Sequence, residues 1–71
     1  MEPVITKAEV RPSISHYGDV EMYVLKSDGF TAIAFPWFSD ELSIQPSDVV
    51  GKTLEEARDL KQARDIAYLR S

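Results

Sequence analysis

Two runs of strand-forming residues lie three residues apart, and together they constrain the fold more than any other feature. Val20 to Lys26, VEMYVLK, sets Val20, Met22 and Val24 on one face and Glu21, Tyr23 and Leu25 on the other, the period of a half-buried strand. Phe30 to Phe35, FTAIAF, is rich in aromatic and β-branched residues, which suit a pleated surface. Between them Ser27-Asp28-Gly29 is a short turn, with Asp28-Gly29 able to take the positive φ values of a hairpin. An isolated hairpin is marginal in water. The flanking segments must therefore cover it.

Ile5 to Val10 reads as another strand, bracketed by Pro3 and Pro12. Proline cannot donate to a ladder, so this strand belongs at a sheet edge. Pro36 is expected to end or bend the second hairpin strand, after which Leu42 to Gln45 can add a fourth before Pro46 turns the chain away. Pro46-Ser47-Asp48 opens one helical turn that Gly51 closes. Thr53 then stands as N-cap, with Glu56 completing a capping box and Glu55 and Glu56 at the positive end of the helix dipole.

From Leu54 to Leu69, residues Leu54, Ala57, Leu60, Ala63, Ala67 and Tyr68 share a broad face suited to covering a sheet. Ile66 and Leu69 fall outside it and are expected to tuck under the sheet edge rather than form a contact surface. The expected fold is α+β: a three- or four-stranded antiparallel sheet packed against one C-terminal helix. Residues 1–71 form a single small domain.

Composition excludes several functional classes. The 71 residues are 44% apolar and 28% charged, the balance of a folded core. The net charge is −4, with three basic and five acidic groups in residues 1–36 and five and seven in residues 37–71. This even acidity offers no basic footprint for nucleic acid. There is no cysteine, hence no disulfide framework or thiolate metal site, as befits a reducing cytoplasm. MEPVITKAEV lacks the charge and apolar run of a secretion signal. Phe30 to Phe38 is about half the ~18 residues needed to span a bilayer.

Gly51-Lys52-Thr53 is the ending of a phosphate-binding loop, but that motif requires glycine where this chain has Pro46. Proline brings no N–H to a phosphate, and Asp48 adds a carboxylate. Capping explains the tripeptide instead. The acidic pairs Asp40-Glu41 and Glu55-Glu56 are adjacent in sequence, so their side chains diverge on either a strand or a helix. His16 is the only histidine and lies beside a turn with no obvious partner for nucleophilic catalysis. No enzyme, cofactor or metal is expected.

Two segments carry the candidate contacts. FPWFSDE, Phe35 to Glu41, concentrates aromatics around a proline and follows them with acids. Phe35 and one of Trp37 and Phe38 are expected to anchor the core, leaving the other exposed beside Asp40 and Glu41 to dock in a groove with basic edges. The second is the edge strand, where Lys7, Glu9 and Arg11 either lend specificity to strand addition or act as charges that prevent it.

The ending VVGKTLEEARDLKQARDIAYLRS, Val49 to Ser71, with its V-G-x-T-x-x-E-A entry and A-Y-L exit, resembles the C-terminal helix of small host-takeover proteins of bacteriophages. The whole chain is similar in particular to small transcription regulators of lytic Xanthomonas phages. The resemblance implies binding to bacterial RNA polymerase and interference with promoter recognition, and it assigns no contact residue. On this reading the chain is a cytoplasmic monomer in the host that binds a host protein stoichiometrically. A self-associating assembly accessory, joined through Ile66, Leu69 or a sheet edge, is the alternative.

Overall fold

The structure, a computed structural model, describes residues 2–70; Ser71, at the end of the segment quoted above, lies outside it. Three strands, β1 (Ile5–Pro12), β2 (Val20–Lys26) and β3 (Thr31–Trp37), precede a single 3-10 turn at Pro46–Asp48 and the helix α1 (Leu54–Arg70). The strands form one antiparallel sheet in the order β1-β2-β3. This is the α+β arrangement expected from the sequence, in its three-stranded form.

Leu42 to Gln45 does not form the fourth strand. Side chains take its backbone groups instead. Gln45 N–H donates to Asp48 Oδ2 at 2.8 Å, and the Ser43 carbonyl accepts from Arg64 Nη1 at 2.9 Å. Ile44, 3% exposed, is drawn into the core from this irregular segment.

At the hairpin only Gly29 takes positive φ, at 88°. Asp28 contributes through its side chain, whose Oδ1 accepts the Phe30 N–H at 3.0 Å. Lys26 N–H donates to the Phe30 carbonyl, so Lys26 faces β3. Antiparallel ladders alternate, hence Val24, Met22 and Val20 also face β3, and their partners on β1 must face away from β2. Those partners are Ile5, Ala8, Val10 and Pro12. By the same alternation, Thr31, Ile33 and Pro36 face outward from β3. Both prolines therefore lie inside their strands, where the missing N–H would have pointed away from the ladder. That is why β1 runs past Val10 and β3 runs past Phe35.

Each edge strand also carries a bulge. Ile5 pairs with Lys26 but Lys7 with Leu25, leaving Thr6 over. Tyr23 pairs with Ile33 but Met22 with Phe35, leaving Ala34 over. The second bulge reverses the facing of everything after it, so that Ala32, Phe35 and Trp37 all point to the inner face. The Ala34 carbonyl accepts from Arg58 Nε of α1 at 2.9 Å.

The inner face and α1 enclose a core of Ile5, Met22, Val24, Phe35, Trp37, Ile44, Val49 and Ala57, with Leu54 and Leu60 packed against it. The covering face of α1 is shorter than expected. Ala63, Ala67 and Tyr68 are exposed, and Ile66 and Leu69 remain 43% and 80% exposed rather than tucked away. Alanine at positions 63 and 67 buries little area, so the last turns gain little by lying close to the sheet. Among the described residues, no helix is long and apolar enough to cross a membrane.

Candidate protein-binding surface

Gly51-Lys52-Thr53 is fully occupied by the fold. Gly51, at φ 88°, donates its N–H to the Ile5 carbonyl, and Ile5 N–H donates to the Lys52 carbonyl, each at 2.8 Å. Thr53 and Glu56 complete the capping box: Thr53 N–H donates to Glu56 Oε1 at 2.9 Å, and Glu56 N–H to Thr53 Oγ1 at 3.2 Å. No N–H ring is left to cradle a phosphate.

A surface of different character forms where the β1–β2 connection meets the exit of β3. Two serine turns shape the connection: Ser15 N–H donates to Ser13 Oγ at 3.1 Å and Tyr17 N–H to Ser15 Oγ at 3.0 Å. Asp19 fastens it to the segment after β3, accepting from Ser39 N–H and Ser39 Oγ, both at 2.8 Å. Gly18 lies against the Trp37 backbone so closely that a Cβ there would be 2.4 Å from Trp37 N. Tyr17 and Phe38, the chain neighbours of that contacting pair, are thereby brought to the same end of the sheet. Phe38 opens a turn, its carbonyl accepting from Glu41 and Leu42 N–H, and Asp40 and Glu41 stand exposed in it.

The structure divides the expected contact residues. Trp37 is not the exposed anchor: it is 3% exposed and stacks at a tilt on Phe35, ring centroids 5.5 Å apart. Its facing is set by the Ala34 bulge. Phe38 is the exposed member of the pair, at 41%, beside Asp40 and Glu41. Lys7, Glu9 and Arg11 are exposed on the outer face of β1. There Glu9 pairs with Arg11, whose guanidinium lies 3.8 Å above the Tyr23 ring centroid. These two groups do not join into one site.

Sequence reasoning missed Ile14 and Tyr17, which are 105% and 77% exposed in the connection. The signal was present: two large apolar side chains spaced among serines, in a stretch with no strand or helix period to bury them.

Three carboxylates have their pKa held below the ordinary range. The Ser39 backbone N–H and then its hydroxyl lower Asp19; the Gln45 N–H and then Arg64 lower Asp48; Thr53 lowers Glu56 through its N–H and then its hydroxyl. A general acid at neutral pH needs the opposite shift. These groups are structural. Their stabilisation is present above the unfolded values, 3.8 for Asp and 4.5 for Glu, and is lost as pH falls through the lowered folded values. Acid titration followed by circular dichroism should therefore show stability declining below about pH 4.5. Asp48→Asn should be less stable than the native chain at about pH 7, and the deficit should be smaller at about pH 2. An equal deficit at both would show that the charge of Asp48 does no work.

No protein-family model matches the chain, and no curated protein or solved structure is significantly similar to it.

Proposed function

We propose that this chain is a non-enzymatic binding protein of the phage host-takeover kind. It attaches stoichiometrically to a bacterial protein in the host cytoplasm, RNA polymerase foremost, and inhibits or redirects transcription. The observation that carries the binding reading is the exposed apolar end of the sheet, where Ile14, Tyr17 and Phe38 are 105%, 77% and 41% exposed. Large apolar side chains exposed on two segments that Gly18 and Asp19 fasten together favour a contact over a solvated surface. Tyrosine is enriched among residues that dominate binding energy, and Asp40 and Glu41 beside Phe38 favour a groove with basic edges.

The choice of polymerase rests on the resemblance in size, composition and the helix segment. A net charge of −4 favours a protein target over direct contact with nucleic acid.

The test is retention of purified bacterial RNA polymerase by the tagged chain, followed by titration. Near-stoichiometric retention is expected. Tyr17→Ala and Phe38→Ala should each weaken binding by about 1–2 kcal/mol while leaving the circular dichroism spectrum unchanged. No retention would remove polymerase as the target. Unchanged affinity in the double variant would remove this end of the sheet as the surface.

A further inference from the structure

β1 leaves backbone groups open on its outer side. Of its outward-facing residues, Ile5 is satisfied by Gly51 and Lys52. Ala8 and Val10 each present an N–H and a C=O, and Pro12 presents a C=O. Val10 adds a second observation. Its side chain is on the helix-covered face, level with Met22, yet it is 42% exposed. There it borders an open cleft of about 240 Å³ shared with Val20, Trp37, Leu42 and Ile44.

We infer that β1 pairs antiparallel with β1 of a second copy of this chain, across a twofold axis at Val10. Charge selects both the occupant and the register. With Val10 opposite Val10 of the second copy, Glu9 lies opposite Arg11 of the other chain and Arg11 opposite its Glu9. The Glu9–Arg11 pairs of the two copies then merge into a ring of alternating charge on the outer face, the favourable cross-strand arrangement. The two Val10 residues exchange N–H···O=C bonds, and each Ala8 N–H donates to the Pro12 carbonyl opposite. The absent proline N–H costs only the reciprocal bond. The two Val10 side chains cover one another beside their clefts.

Neighbouring registers fail. An axis at Glu9 sets Glu9 against Glu9 and Lys7 against Arg11, like charges face to face. An axis at Ala8 brings Pro12 onto the edge at Val4, which is already bridged to Thr53. The self-complementary pattern is what a twofold contact requires. Because the contact is only a few residues long, it falls below the roughly 1,200 Å² of stable interfaces. The dimer forms at high concentration and dissociates on dilution. The inference is independent of the proposed target and replaces the monomer expected from the sequence.

Sedimentation equilibrium of the full chain from micromolar to millimolar concentration, with amide exchange at each concentration, tests it. The mass is expected to rise toward two copies while the Ala8 and Val10 amides slow and those of Thr31 and Ile33, on the opposite edge, do not. Arg11→Glu alone, and Glu9→Arg alone, should each raise the dissociation constant by about tenfold or more. A mixture of these two variants should pair, because each then faces opposite charge. A mass of one copy throughout, protection at Thr31 and Ile33 instead, or dimerisation indifferent to Arg11→Glu would overturn the inference.

Discussion

Replacing Trp37 with alanine is expected to remove about 3–5 kcal/mol of stability, the largest effect of any single substitution considered. The indole is 3% exposed and packs against Phe35, so its removal would leave a cavity in the core. A domain of 71 residues has roughly 4–10 kcal/mol in total, so the variant should be close to unfolding at room temperature. Denaturant titration by circular dichroism measures the loss. In the native chain this single tryptophan should emit in the blue, as a buried indole does, and shift to the red on unfolding. A cost below about 1 kcal/mol or red native emission would mean that Trp37 does not close the core. Any binding experiment must therefore leave Trp37 intact and vary Phe38.

The second large effect is expected at Gly18. Its neighbour is backbone: an added Cβ would meet Trp37 N and O at 2.4 Å and C at 2.6 Å. A flexible side chain could move aside, but a strand end fixed by its own hydrogen bonds cannot. Gly18→Ala should cost about 1–3 kcal/mol or more, lowering the melting temperature by about 4–8 °C for each kcal/mol. It should also disturb the Asp19–Ser39 clamp and so displace Tyr17 relative to Phe38. Gly29 is a useful contrast, since its φ of 88° with nothing within 4 Å makes its requirement conformational rather than spatial. A melting temperature unchanged in Gly18→Ala would show that the connection can swing clear of β3.

The alternation of VEMYVLK placed β2 without error, and the Thr53–Glu56 spacing placed the start of α1, because each depends on residues close together in sequence. What the sequence concealed depends on single-residue slips. Carried from Ala32 by strict alternation, the inner face would have run through Ala34 and Pro36 to Phe38, leaving Trp37 in solvent. The bulge at Ala34 inverts that choice, and no composition signal announces it. The choice between Trp37 and Phe38 could not be read without the register.

Likewise, Leu42 and Ile44 carry the spacing of a strand, yet Asp48 and Arg64 claim the backbone around them from elsewhere in the chain. The expected surface at Asp40 and Glu41 was legible as an acidic turn. Its apolar half, Ile14 and Tyr17, comes from a segment that only the sheet brings alongside.

The bond pair joining Ile5 to Gly51 and Lys52 has a consequence for the order in which the molecule assembles. The β2–β3 hairpin closes through a three-residue turn and can form within its own local stretch. The clasp at Ile5 must wait for the sheet and the connection to α1 to come into place, since it closes a loop containing most of the chain. If the clasp forms only after the rate-limiting step, its strength governs the lifetime of the folded molecule more than the speed of folding. A clasp closed last in this way would act as a latch, setting how long the completed structure endures.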